Sequence, residues 1–307
     1  MNDGTISFDV IIIGSSYAGL AAAMALGRAR RSVLILDSGK PCNRQTPHAH
    51  NLITHDGDTP AEITGIAKEQ VLAYPAVQFV EGKAAVASGV DGAFEVADDI
   101  GETYRAKKLL LATGMRDIPL PVDGFAECWG ISVLHCPYCH GYEVADAPLG
   151  VIGNGDMGFE YARLISNWSG NLTLFTNGRS TLNDEQLAKL KARNIPIIEG
   201  DIGAMEHESG HLHHLLFKDG SRYQINTVFS KSTTTQHNDL AVQLGCEIQS
   251  EGMFAGLIKV DSFGKTTAAG VYAAGDNCSP MRSLASAISA GTTAGAFINN
   301  EMVAAAF

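Results

Sequence analysis

Positive charge is what this 307-residue chain has least of: 22 Lys and Arg stand against 33 Asp and Glu, a net charge of −11. Nucleic acids and anionic membrane surfaces are gripped by basic patches, so neither is an expected partner. The acidic surface suits a basic protein partner, or simply keeps the molecule in solution. Long apolar runs are lacking too. The one near the start, DVIII, is broken by Gly14, Ser15, Ser16 and Gly19 and is not a membrane span. The opening residues MNDGTISFD lack the basic flank of a secretory signal. Six cysteines in a chain of this length do not make an extracellular disulfide scaffold, and Cys42, Cys128, Cys246 and Cys278 read as structural. The expected address is cytoplasmic.

Glycine, by contrast, is plentiful, with 33 residues, and it concentrates in turns that follow apolar strands. FDVIIIGSSYAGLAAAMAL reads as a buried strand, a tight turn and a helix of small residues. The turn Gly14-Ser15-Ser16-Tyr17-Ala18-Gly19 has the dinucleotide spacing, with serine for the middle glycine. Its first glycine permits the turn, its last lets strand and helix approach, and the helix N-terminus presents N–H groups to a pyrophosphate. The next strand, SVLILD, ends at Asp37, 23 residues after Gly14, where an acid can hold a ribose hydroxyl.

The pattern recurs in LGVIGNGDMGFEYARLI, with Gly153, Gly155 and Gly158. The strand after it, NLTLFTNG, ends without an acid for a ribose and without an arginine cluster for a 2′-phosphate; Arg179 stands alone. This second motif predicts a second doubly wound domain and leaves a bound NAD(P)H open. KKLLLATGM reads as a strand ending in a Thr113-Gly114 turn, and GVYAAGDNC as one ending in Gly275-Asp276 before a helix of small residues. Asp276 can hold a ligand hydroxyl, or it can cap that helix.

CPYCHGYE, residues 136–143, can grip a metal, close a catalytic disulfide, or be coincidence. A structural zinc commonly takes two such pairs, and there is one here. His135 and His140 flank it badly for a tetrahedron, and His48 and His50 in PHAH would be distant ligands. The redox reading places the pair at a helix start, where the helix dipole lowers a thiol pKa and speeds exchange.

Taken in order, GSSYAGL, LATG, CPYC before a second GxGxxG, and AAGD before a final helix resemble the low-molecular-weight thioredoxin reductase family of FAD-dependent disulfide oxidoreductases. CPYCHGYE with GNGDMG looks most like a side branch near the gliotoxin-type dithiol oxidases. The resemblance implies an α/β chain of two Rossmann-like, three-layer ββα dinucleotide-binding domains, the second inserted into the first. Residues 1–117 and 247–307 would form the FAD domain, and residues 118–246 an NAD(P)-binding-like domain carrying the cysteine pair. FAD would lie along Gly14, Ser15, Ser16 and Gly19, with Asp37 on its adenosine ribose and Asp276 on the ribityl chain. Thr113, Gly114 and Gly275 would line it, and Asn51 would sit near the isoalloxazine. Gly153, Gly155 and Gly158 would form the second cofactor turn. Cys139 would be the flavin-proximal thiolate and Cys136 the interchange thiol. His140 would stand where the family often has an acid, acting as acid–base or as a positioning group, with Glu143 a weaker candidate. No metal is expected. The family also implies a homodimer.

The chain departs from NADPH-using relatives at FTNGRS, which lacks their arginines, and at VFSKSTTTQHNDL, which lacks their glycine-proline turn. NADPH is therefore in doubt as a cofactor. Three versions of the activity compete: NADPH-driven reduction of a thioredoxin-like protein, oxidation of a small dithiol, and reduction fed by another donor such as ferredoxin. From a different class comes a flavin-binding sensor without turnover; retention of both cysteines beside a histidine argues against it.

Overall fold

A computed structural model describes residues 7–307. The chain divides into two compact units: one runs to Arg44 and takes in Pro60–Arg116 and Thr234–Phe307, and the other comprises Gln45–Thr59 and Asp117–Thr233. Apart from a one-residue shift at Asp117, this division differs from the expected boundaries in two places. The chain re-enters the first unit at Thr234 rather than near 247, and residues 45–59 group with the second unit. The second difference has a local cause: the Gln45 side-chain amide donates to the carbonyl of Trp129 at 2.7 Å.

The first unit is built on a parallel core of strands, Val77–Glu81, Val33–Asp37, Ser7–Ile13 and Thr103–Leu111, with Val271–Ala273 alongside the last. The strand Thr103–Leu111 starts earlier than its apolar half suggests. Its polar beginning pairs antiparallel with Ala93–Asp98, which in turn pairs with Ala84–Val90. Both faces of the middle of the parallel core are covered, so VIII, VLIL and LLL are continuous apolar runs rather than alternating. The period of two appears instead in where the side chains go. Ile11, Ile13, Leu34, Leu36, Leu109 and Leu111 enter one cluster, while Val10, Ile12, Val33, Ile35 and Leu110 enter the other. That second cluster is closed by helices Tyr17–Arg28 and Leu284–Ala306. These two lie so close that a Cβ on Gly291 would stand 2.0 Å from the Ala18 carbonyl oxygen, which is why the last helix needs small residues.

The second unit has a five-stranded parallel sheet in the order Ile197–Ile198, Leu172–Phe175, Leu149–Ile152, Val228–Ser230, Val133–Leu134. Helix Gly155–Ile165 covers one face through Phe159, Tyr161 and Ala162. An antiparallel sheet of Ile202–Glu208, His211–Phe217 and Arg222–Gln224 covers the other through Met205, Leu215 and Phe217. Each unit is thus a three-layer, Rossmann-like domain, and the bulk of the second is inserted into the first. Among the described residues no helix is long and apolar enough to cross a membrane.

Candidate active site

Cys136 and Cys139 form a disulfide, with their Cα atoms 5.2 Å apart. Proline at the first helical position presets the turn, and Pro137–His140 is a single turn with Cys136 as its N-cap. The expected helix start is therefore only four residues long, too short for a substantial macrodipole to act on the thiols. What fixes the turn is packing. The Gly141 amide donates to the Pro137 carbonyl at 2.7 Å, and a Cβ on Gly141 would stand 2.6 Å from the Trp168 indole nitrogen. Trp168 also meets the Tyr138 ring edge-on, 5.5 Å between centroids. On the N-terminal side, His135 stacks on Trp129, and Tyr161 donates to the His135 carbonyl at 2.6 Å.

His140 follows the pair directly, and its amide donates to the Cys136 carbonyl at 3.2 Å. Burial lowers its pKa; Glu143 pulls the other way, and His50 adds to the lowering. A neutral imidazole at neutral pH is a base able to accept a proton from an incoming thiol. His50 comes from the 45–59 segment. Its Nε2 is 3.5 Å from a Glu143 carboxylate oxygen, and its Nδ1 is 3.6 Å from Asp56. Among the described residues no group of three or more His, Cys, Asp and Glu side chains is placed to hold a metal ion. Asn51, next to His50, has a left-handed backbone and donates its amide to Asp56 at 2.7 Å. It lies in the second unit, in a different unit from the Gly14 turn.

The Gly14 turn brings together most of the other expected residues. Gly14 has φ +105°, and a Cβ there would stand 2.3 Å from the Ala112 carbonyl oxygen; one on Gly19 would stand 1.9 Å from that of Gly14. Only glycine satisfies both contacts. Each oxygen of Asp37 takes one backbone amide, Ser15 at one and Gly39 at the other, both at 2.8 Å. A carboxylate oxygen has a second lone pair, so Asp37 can still accept from ribose hydroxyls. Ser16 is the N-cap of Tyr17–Arg28 and its side chain makes no capping bond, which leaves the first-turn amides to an anion. Across the sheet, Thr113 accepts from Asn277 Nδ2 at 3.2 Å, beside Gly114 with φ +64°. Gly275 also has positive φ. Asp276 pairs with Arg282 at 3.1 Å, and the cap of the last helix is Ser283, which accepts from the Ser286 amide at 3.1 Å. Asp276 is therefore not the cap. The buried Asn277 carboxamide oxygen has no hydrogen-bond partner among the described residues. A glycine cradle, unspent helix amides and two carboxylates together fit a dinucleotide such as FAD.

The second turn, Gly153 to Gly158, has the same glycine spacing but a different backbone, with the positive φ on Gly155 (+54°) rather than on its first glycine, and a different filling. Asn154 Oδ1 accepts from the amides of Gly155 and Thr181 at 2.9 and 2.8 Å, and its Nδ2 donates to the Arg179 carbonyl at 2.8 Å. Asp156 stands in the first turn of the helix and accepts from Gln186 at 2.7 Å. Glu199 takes the Ser180 amide at 2.9 Å. A dinucleotide pyrophosphate would meet two acids here and no arginine cluster.

The sequence did not announce Asn154, Asn277, Trp168 or the pairing of His50 with Glu143. Only PHAH hinted at the last, and its partner lies far downstream.

The model of the pyridine nucleotide-disulphide oxidoreductase family matches residues 8–294. The chain belongs to that family. It is 31% identical to the thioredoxin reductase tcpT of Claviceps purpurea, covering 96% of this chain and 94% of that one. Among solved structures it is similar to a putative thioredoxin reductase, TrxB, of Bacillus anthracis, with TM-score 0.92 and 33% identity over 98% of this chain and 100% of the other. An oxidoreductase of Agrobacterium tumefaciens has TM-score 0.91 and 36% identity over 97% and 99% of the two chains. The family binds flavin and nicotinamide cofactors in general, and this member is a thioredoxin-reductase-like, flavin-dependent thiol–disulfide oxidoreductase.

Proposed function

We propose that the protein exchanges electrons between FAD and a thiol or disulfide substrate through Cys136 and Cys139, with His140 moving the proton. The observation that carries this reading is the closed disulfide on the His140 turn. FAD supplies the two-electron redox chemistry when bound. Gly14, Ser15, Ser16 and Gly19 would hold its pyrophosphate, and Asp37 its adenosine ribose. Asp276 would hold the ribityl chain, with Thr113, Gly114 and Gly275 lining the site and Asn51 as a further contact.

The exchange at the disulfide follows from thiol chemistry. An incoming substrate thiol gives its proton to neutral His140. The resulting thiolate attacks the Cys136 sulfur, the Cys136–Cys139 bond breaks, and Cys139 leaves as a thiolate. His140 passes the first proton to water and takes that of the second substrate thiol, whose thiolate then attacks the substrate sulfur of the mixed disulfide and releases Cys136 as a thiolate. The substrate has lost two protons and two electrons, and the pair has gained the electrons. Run backward, the same steps reduce a substrate disulfide. On this reading a thiol or disulfide compound, small or carried by a thioredoxin-like protein, is the partner. NADPH is not the preferred donor, because Asp156 and Glu199 occupy the surroundings of the second turn.

The test is anaerobic mixing of the yellow protein with dithiothreitol. Wild-type flavin should bleach, and Cys139→Ser should stay yellow with disulfide turnover down on the order of a thousandfold or more. A Cys139→Ser protein that turned over at the wild-type rate would end this proposal.

A further inference from the structure

Glu143 sits in a stretch, Gly141–Asp146, that forms neither helix nor strand. Its carboxylate is 40% exposed. The group that meets it comes from the 45–59 segment. That segment is tied to itself at several points: the Ala49 amide donates to the Asp58 carbonyl at 2.8 Å, and the Gly57 amide to the Ala49 carbonyl at 2.9 Å. Asp56 closes the loop by taking the Asn51 amide, and the same carboxylate oxygen faces His50 Nδ1. The His50 side chain is 20% exposed and can reach a carboxylate from each ring nitrogen. A histidine held this way has its orientation set from one side and offers its Nε2 edge to Glu143 on the other.

We propose that His50 is a positioning residue for the redox pair: braced by Asp56, it holds the Glu143 carboxylate and sets the charge under which His140 accepts and returns protons. This rests on the exchange role given above to Cys136, Cys139 and His140. The titratable groups facing His50 are Asp56 and His48 from its own segment, the latter with ring centroids 6.5 Å apart, and Glu143 and His140 from the segment after the pair. Glu143 favours a proton on His140, and a charged His50 opposes it. Removing His50 leaves burial alone to oppose the pull of Glu143, so His140 becomes a free base only at higher pH. Removing Glu143 does the reverse. The effect on His140 belongs in a pH profile rather than in a single rate.

The experiment measures disulfide opening by dithiothreitol in the yellow holoprotein from about pH 6 to about pH 9. It is read twice: by flavin bleaching, and by the mass increase when freed Cys136 is trapped with iodoacetamide. In His50→Gln the acid limb should move up by about one pH unit, which slows opening roughly two- to fivefold near pH 6.5 and leaves it near wild type at about pH 9. Glu143→Gln should move the limb down. His50→Lys, which keeps a positive group opposite Glu143, should recover most of the loss. The double variant His50→Gln, His140→Gln should be no slower than His140→Gln alone, because His50 acts through His140. A folded, yellow His50→Gln whose profile overlays that of wild type would overturn the proposal. So would Glu143→Gln moving the limb in the same direction as His50→Gln, or effects that multiply in the double variant. A wild-type disulfide that dithiothreitol does not open at any pH would remove the exchange reading itself, whereas the other results leave that reading standing.

Discussion

Two glycine turns with one spacing occur in this molecule, and they differ in which residue turns the backbone and in who occupies them. At Gly14 the side chains stand back: Ser16 makes no capping bond, the first helical turn has no acid, and Asp37 braces the loop from behind through Ser15 and Gly39. At Gly153 the chain fills its own turn, with Asn154 tying down Gly155, Thr181 and Arg179, and Asp156 standing where an anion would approach. Glycine spacing thus specifies a strand–turn–helix backbone, and the neighbouring side chains decide whether that backbone meets a ligand or its own loop.

The largest expected effect comes from putting a methyl group into each turn. At Gly14 the new Cβ would strike backbone, the Ala112 carbonyl at 2.3 Å, at φ +105°. At Gly155 it would meet only the Thr181 hydroxyl at 3.0 Å, at φ +54°. Gly14→Ala should therefore cost about 3–5 kcal/mol and release the flavin, because neither strand nor helix can yield. Gly155→Ala should cost about 1 kcal/mol, the left-handed strain alone. Thermal unfolding with flavin fluorescence measures both, and equal losses would show that the two turns are equally constrained.

Acid should separate the two units next. Glu301, on the helix packed against the Gly14 turn's helix, loses solvation by burial. That loss is outweighed by hydrogen bonds from Lys108, from Lys265 at 2.6 Å and from Tyr272 at 2.9 Å, and its pKa falls from 4.5 to about 2. A carboxylate with a depressed folded pKa stabilises above its unfolded value and loses that contribution as pH falls through the folded one. Glu301 therefore contributes up to about 3 kcal/mol to the first unit at neutral pH, which disappears between about pH 4.5 and about pH 2. In the second unit, Glu185 and Asp219, whose pKa values are also lowered, lie on the surface. Flavin release should precede loss of the second unit's structure on acidification. Glu301→Gln should already be destabilised at pH 7 and should flatten this pH dependence. Simultaneous loss of both units with an unchanged profile in Glu301→Gln would break the distinction.

How much of this the sequence carried depends on the kind of signal. Strands such as VIII and LLL, the two turns and the final helix were legible because apolar runs and glycine spacing are local patterns. The cysteine pair was legible as a redox candidate for the same reason. The helix start is legible as well, but its length of one turn is not, since nothing in PYCH reveals the packing of Gly141 against Trp168. Asp276 could be a cap or a ligand from sequence, and Ser283 decided against the cap only in three dimensions. His50 with Glu143, and Asn154 with Thr181, are pairings between side chains distant in sequence, and no periodicity encodes them.

The smallest effects test the second turn directly. Asn154→Ala removes a cap and the ties to Thr181 and Arg179, and should lower stability by about 1 kcal/mol with flavin content unchanged. Asp156→Asn removes one negative charge from a helix N-terminus, where charge is worth about 0.3–1 kcal/mol, so affinity for NADPH should rise only about two- to fivefold. Anaerobic titration with NADPH, followed by flavin absorbance, reads both variants. Slow or absent bleaching in each would mean that the turn is closed by its whole surroundings, Glu199 and the missing arginines included. Rapid bleaching after either single change would mean that one side chain had been closing an otherwise competent site, and the contrast between the turns would then reduce to that residue.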